Sequence, residues 1–439
     1  MKRLVYLFSA VLAIALIAGC KPKIVAVDIT VQLFSENSPL AVEGIPVTLA
    51  DAAGATTFTA NTDAAGAAKF TVNPGSYVAS CTFKNVEDGL RVVYNGSNSA
   101  ILVAEQTEGS FKLELSKVQS QQLIIKELYC GGCPKDDGSG AYSNDGYIIV
   151  YNNSEFEADA SDLVFGNLNP YNGHATNKYY GTDNKLVYES DNWVPAGGAV
   201  WYFKNPVKIP AYSQIVIAIF GAIDHTATVK ASVDLSKADY YWMSNSEIPA
   251  YTNKKYAVAE TIPASHYLSG IAINMGNAWV LSNSAPALYM GKMPKAQLEQ
   301  LCNDTEKFDQ TAGTGNVNWT VKFPKANVIG ALEVFQSTKL ETSNLRFPAS
   351  LNTGYAALTN QKGCTIYRNV DKEATEALPE NEGKIVYNYA GGTQDVNGST
   401  DPSGIDAEAS IAAGAHIIYL QTNDSGKDFH QRSVSSLKK

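Results

Sequence analysis

Cys130 and Cys133, in the run Tyr129-Cys130-Gly131-Gly132-Cys133-Pro134, are the residues of this sequence best spaced for redox chemistry. A C-x-x-C pair whose first sulfur sits at a helix N-terminus becomes a low-pKa thiolate and exchanges disulfides. The next residues, Lys135-Asp136-Asp137-Gly138-Ser139-Gly140, cannot start a helix of useful length. A small structural disulfide that pins a loop is therefore the favoured reading, with thiol–disulfide exchange as the alternative. A zinc site would need two more ligands at workable spacing, and none is nearby. His174, His225, His266, His416 and His430 form no H-x-H or H-E-x-x-H pair. No G-x-S-x-G elbow, Walker A loop or dinucleotide G-x-G-x-x-G is present, so no catalytic residue, metal ligand or cofactor is assigned. Asp395, Asn397, Ser399 and Asp401, with Asp406 beyond, alternate oxygen ligands as a calcium loop does, but Gly is missing from the sixth position; a polar loop is favoured over an ion site. Tyr240, Tyr241 and Trp242, between Asp239 and Ser244-Asn245-Ser246, place aromatic faces in polar company and are the candidate partner or sugar contact. Trp201-Tyr202-Phe203, at a strand start, reads as core.

Composition narrows the setting in which such residues act. The 439 residues are 45% hydrophobic, and 34 basic against 43 acidic residues give a formal charge of -9. That balance argues against binding to nucleic acid, whose phosphates need a basic face. Charged residues make up 18%, below the roughly 25% of average soluble chains. With 34 Gly and 24 Tyr, the chain is biased toward strands and turns.

The N-terminus carries an address. Lys2 and Arg3 precede an apolar run at residues 4–17, and small residues follow in Ile17-Ala18-Gly19-Cys20. This n/h/c layout is that of a secretory signal, too short for a comfortable membrane span. Its end resembles the lipobox of bacterial lipoproteins. The resemblance implies that residues 1–19 are removed and that Cys20 is acylated, becoming the lipid attachment that anchors the protein to a membrane. Lys21 in place of Asp resembles lipoproteins that move on to the outer membrane, with the periplasmic or surface face left open. Later apolar runs such as residues 214–222 are strand-sized. Beyond Cys20 there are five cysteines, an odd number, so at least one stays unpaired. The partners of Cys81, Cys302 and Cys364 stay open, although Cys81 on an alternating strand suits a small buried apolar residue.

The elements that must position these groups are strands. Residues 24–116 alternate apolar and polar side chains in short runs at 25–34, 45–49, 56–62, 67–72 and 76–83, broken by Ala53-Gly54, Ala65-Gly66 and Pro74-Gly75. Thr62-Asp63-Ala64-Ala65-Gly66, the strand after it and Pro74-Gly75-Ser76-Tyr77 resemble the prealbumin-like, carboxypeptidase-regulatory-like modules of bacterial surface proteins. The resemblance implies a β-sandwich used as a spacer. Residues 114–122 read as a linker. From 123 to 433 a second β-rich region follows. Its Glu127, its Tyr147-Ile148-Ile149-Val150-Tyr151-Asn152-Asn153-Ser154, Asp162-Leu163, Val194-Pro195-Ala196-Gly197, Ile209-Pro210 and Ala222-Ile223-Asp224-His225-Thr226 resemble the lamin-tail-like, immunoglobulin-related β-sandwich. Together with Ala331-Leu332-Glu333-Val334-Phe335, Arg346-Phe347-Pro348-Ala349-Ser350-Leu351 and Thr422-Asn423-Asp424-Ser425, the chain is similar to a family of Bacteroidetes-type outer-membrane lipoproteins with an uncharacterised C-terminal domain. Helix is scarce: one is expected at 294–308 and a short second at 371–378, with a long loop at 388–404 and a frayed tail from Ser433.

The expectation is a mainly β, lipid-anchored envelope protein without catalysis, binding an outer-membrane receptor protein or a glycan, its family context being TonB-dependent transport. The rivals are an envelope hydrolase of glycans or phosphoesters, which would need two close carboxylates, and thiol–disulfide exchange at Cys130 and Cys133.

Overall fold

The computed structural model describes residues 25–52, 56–107, 109–253, 261–274, 276–313, 315, 318–392 and 400–438. The signal segment, Cys20, and residues Asp395, Asn397 and Ser399 of the calcium-like run lie outside them. The chain is mainly β, and it divides into two compact units, one ending at Ser120 and the other beginning at Gln121. Among the described residues no helix is long and apolar enough to cross a membrane.

In the first unit the strands are β1 (Val27–Ser35), β2 (Pro46–Asp51), β3 (Thr57–Asn61), β4 (Ala67–Val72), β5 (Gly75–Glu87), β6 (Leu90–Val103) and β7 (Ser110–Gln121). Strand β1 shows why: Val27, Ile29, Val31 and Leu33 are buried at every second position, the period that puts them on one face of a pleated strand. Each such side chain contributes about 1.5–3 kcal/mol when fully buried. They meet Val47, Leu49, Phe70, Tyr77, Cys81 and Leu113 in one core, where Cys81 is the small apolar residue its strand pattern implies. Gly66 adopts φ +79°, and a Cβ there would collide with the Leu40 carbonyl oxygen, so only glycine fits this turn. Residues 114–122 are not the expected linker. Strand β7 pairs in parallel with β1 as far as Leu115 and continues to Gln121, because Leu113 and Leu115 still alternate inward.

The second unit is built on strands β8 (Leu123–Tyr129), β9 (Tyr147–Asn152), β10 (Leu163–Leu168), β11 (Trp193–Phe203), β12 (Gln214–Ala218), β13 (Tyr241–Met243), β14 (Tyr267–Ala272), β15 (Ala287–Lys292), β16 (Thr320–Pro324), β17 (Val328–Gln336), β18 (Ala356–Leu358), β19 (Thr365–Arg368) and β20 (Phe429–Arg432). Its main path runs β18-β17-β15-β10-β11-β14-β13-β12-β9-β8-β19-β20, with β16 added on β11. The sheet curls on itself: Leu332, Val334 and Leu358 from one end of that path pack in the same cluster as Leu128, Ile366 and Phe429 from the other. Trp201 and Phe203 lie in it, while Tyr202 points to a second cluster on the outer face.

Every residue of β8 and β9 is buried, because connections cover the outer face as well. The register between β9 and β8 shifts at Ile149/Val150, leaving Lys126 as an extra, bulged residue. The bulge places Ile125 and Leu128, three positions apart, in the same core cluster. It also turns Lys126 toward Glu408 (2.7 Å) and Gln214 (2.8 Å), with its ammonium 5.4–5.7 Å from the rings of Tyr151, Tyr367 and Tyr419.

Helices are short, as expected: α1 (Lys295–Asn303) follows Pro294 and buries Leu298 and Cys302 four apart, and α2 (Lys372–Glu376) is capped by Asp371. Two more, α3 (Ala407–Ala412) and α4 (Ser425–Asp428), are capped by Asp406 and Asp424. The tail from Ser433 is not frayed. Ser435 is buried against Tyr147, Ser436 donates to Glu127, and Lys438 Nζ reaches the Ala231 carbonyl at 2.6 Å.

Candidate functional site

The candidate disulfide does not form in this structure. Cys130 and Cys133 are free and buried, and their side chains diverge: Cys130 packs in the main core, whereas Cys133 Sγ lies 3.6 Å from an Asp145 carboxylate oxygen. The reason is local. Gly132, at φ +72°, reverses the chain after Cys130, and Cys133 pairs with Tyr142 in a separate small ladder. Burial pushes the Cys130 thiol up to about 12 and the Cys133 thiol, with Asp145 beside it, up to about 11. Neither is a thiolate at neutral pH, the opposite of what exchange requires.

The candidate contact Tyr240-Tyr241-Trp242 is likewise not a surface loop. Tyr241–Met243 is strand β13, paired in parallel with β12 and β14 in mid-sheet. Trp242 is 1% exposed and donates through its indole N–H to the Phe220 carbonyl, Tyr240 is buried, and half-buried Tyr241 stacks on His266. Burial of Tyr240 and Trp242 outweighed the polar flanks. Among the described residues no group of three or more His, Cys, Asp and Glu is arranged to hold a metal. Of the calcium-like run, Asp401 accepts from Val370 N and Ser403 N, and Asp406 caps α3, so both carboxylates are spent on backbone.

A broad groove of about 1100 Å³ opens in the second unit. Its floor comes from the parallel pairing of β17 and β18, which sets Phe335 opposite Ala357 and brings Tyr355 alongside. The two rings stack at 4.4 Å and 18°, with Phe335 buried and Tyr355 half-buried. Tyr180, Asn184 and Asn344 line one part of the wall, and Asn369, Thr422, Asp424, Lys427 and His430 another. A smaller depression of about 390 Å³ shares Tyr180, Asn184, Leu345 and Thr353 and adds Glu189 and Phe347.

The walls are braced from below. His430 sits between Asn369 Oδ1 (2.7 Å at Nδ1) and the Tyr389 hydroxyl (2.7 Å at Nε2), and Asn369 in turn donates to the Lys427 carbonyl at 2.7 Å. Burial, with Arg432 nearby, drives the imidazole down to about 3, so it is neutral and fixes these partners. Asp424 accepts from Gly426 N at 2.9 Å, and Ser425 is tied to Asn352 Oδ1 at 2.8 Å by both its amide and hydroxyl. Beneath Phe335, Glu333 and Arg346 are fully buried and paired, and the same guanidinium donates to the carbonyls of Pro170 and Ala285 at 2.8 Å each. Apart from Asp424 and Lys427 the described residues lining the large groove are uncharged at neutral pH: amides, hydroxyls, aromatic rings, aliphatic side chains and a neutral imidazole.

Sequence reasoning quoted Phe335 only as part of a family motif and missed its pairing with Tyr355, as it missed Tyr180. Only the strand register joins the first two, and no local spacing could have shown it. It did single out motifs, and these prove to be braces. Asn152 donates to the carbonyls of Phe156, Ile209 and Pro210, Asn153 clasps both backbone groups of Tyr419, and Glu333, Arg346 and Asp424 act as described.

The fold and groove together define a two-unit, mainly β protein carrying a broad aromatic- and amide-lined cleft. Residues 212–436 match the model of a family described as a protein of unknown function, DUF4876, and the chain belongs to that family. A crystal structure of a DUF4876 family protein from Bacteroides thetaiotaomicron is similar over 93% of this chain and 96% of that one, with 18% identity and a TM-score of 0.59. A DUF3823 family protein from Parabacteroides merdae overlaps 44% of this chain and 80% of its own at 7% identity, and its TM-score of 0.16 is too low to bear on the fold. No curated protein matches.

Proposed function

We propose that this protein is a lipid-anchored envelope lipoprotein, tethered at the outer membrane through Cys20, whose larger unit binds a ligand without transforming it. The first unit acts as a prealbumin-like spacer and the second as a lamin-tail-like binding domain. The ligand is a glycan held in the groove, delivered to or displayed beside a TonB-dependent receptor. The observation that carries this reading is the stacked Phe335–Tyr355 pair set among Asn184, Asn344, Asn369, Thr353 and Thr422. An aromatic face with nearby amides and hydroxyls suits a sugar's apolar face and its ring of hydroxyls. Against hydrolysis stands the supply of carboxylates: among the described residues lining the large groove there is one, Asp424, and it is engaged with Gly426 N, whereas glycoside hydrolysis calls for a facing pair.

The test is a glycan array probed with the detergent-solubilised full-length protein and its Tyr355→Ala variant. Binding of an oligosaccharide that weakens at least tenfold in the variant supports the reading; equal binding by both, or release of hydrolysed product, sinks it. Labelling with a palmitate analogue tests the tether: the wild type takes up label, Cys20→Ser does not, and an unlabelled wild type would remove that part of the proposal.

A further inference from the structure

A second cavity of about 430 Å³ lies in the larger unit, with a lining that does not overlap the groove's. We propose that it is a separate binding site for a single neutral sugar ring. Four carboxamides converge on it from distant stretches: Asn167 on β10, Asn169 just beyond, Asn274 after β14, and Asn318 before β16. Trp279 and Tyr171 supply the aromatic surface.

The backbone is shaped to admit these side chains. At the middle of β11, a Cβ on Gly197 would run into Asn169 Oδ1, and a Cβ on Gly198 would stand 2.8 Å from Trp279 Cδ1. Gly198 also has φ +70°. Paired glycines weaken a strand, so their position under two lining residues marks a place where close approach is needed. Trp279 is then fixed in several ways. Its indole N–H donates to Asn167 Oδ1 at 3.0 Å, its amide donates to buried Asn245 Oδ1 at 2.9 Å, and its ring meets Trp201 edge-on at 5.7 Å. With its oxygen taken, Asn167 keeps its NH₂ donors almost free, the one contact being 3.5 Å to the Leu168 carbonyl.

The lining selects the ligand class. A carboxamide both donates and accepts, as does each sugar hydroxyl, and four of them can satisfy a polyol without charge. Among the described lining residues Lys178 carries the one charge, and it is exposed. The volume, at the low end for small-molecule sites, suits one ring.

The experiment is calorimetric titration of the detergent-solubilised full-length protein with glucose, galactose, mannose and N-acetylglucosamine, and with glucuronate and glucosamine as charged comparators. At least one neutral sugar is expected to saturate, with binding about tenfold weaker in Asn169→Ala and in Asn274→Ala, both of them partly exposed positions. The groove variant Tyr355→Ala should leave this binding unchanged, so failure here is separable from failure of the groove reading. Absence of binding by every neutral sugar to the folded wild type, binding of the charged comparators alone, or binding that responds to Tyr355→Ala and not to the two asparagine variants would each overturn the proposal.

Discussion

Replacing Arg346 with Met removes one half of an ion pair that no water reaches. Both side chains of the Glu333–Arg346 pair are 0% exposed. Glu333 accepts from Arg346 Nε at 2.9 Å and from Arg346 N at 2.8 Å, and the guanidinium also serves the carbonyls of Pro170 and Ala285. Burial already holds the Glu333 carboxyl above the usual range in spite of the arginine, so without it the charged form is stranded. Breaking a buried pair from one side costs about 3–5 kcal/mol. The double variant Glu333→Leu/Arg346→Met strands no charge and should be less destabilised than Arg346→Met alone, although the two carbonyls lose donors worth about 1 kcal/mol each. The pH dependence follows from linkage. In Arg346→Met the folded-state carboxyl binds its proton more tightly than in the unfolded chain, so stability falls as pH rises and the deficit against wild type shrinks between pH 7 and pH 5. All five tryptophans, Trp193, Trp201, Trp242, Trp279 and Trp319, lie in the larger unit, so guanidinium unfolding followed by indole fluorescence reads that unit alone. A deficit below about 1 kcal/mol at pH 7, or one independent of pH, would refute the reasoning.

Two further outcomes are expected. His430, held near 3 when folded against about 6.5 when unfolded, is protonated more readily in the unfolded chain, so the larger unit loses up to about 1.4 kcal/mol per pH unit as pH drops through that window. His430→Gln should flatten the fluorescence-detected stability profile there relative to wild type, and parallel profiles would count against a buried neutral imidazole. For Cys130 and Cys133, iodoacetamide followed by mass spectrometry should find both unmodified in the native protein and both alkylated after unfolding without reductant. Rapid native alkylation, or a mass gain of two hydrogens on reduction, would contradict the buried free thiols.

The strands of the first unit were legible because one face is solvated, and a period of two marks such strands, as in Val27, Ile29, Val31 and Leu33. In the second unit β8 and β9 are buried on both faces, so their apolar runs announce strands but not which residues face which core. The same burial defeated the reading of Tyr240-Tyr241-Trp242, whose polar neighbours suggested a loop while parallel partners on either side made a strand of it. Pro294 and Asp371 signalled two helices through the chemistry of the first turn; Asp406 and Asp424 carried the same signal and were passed over. The groove was illegible for a different reason. Tyr180, Phe335, Tyr355 and His430 come together only once distant strands have paired.

Glu127, near the start of the larger unit, is sealed in by Tyr147 and by Ser436, while β19 and β20 complete the sheet beside β8. The unit's opening strand therefore has no finished environment until its last residues arrive. Such high contact order predicts slow, all-at-once closure.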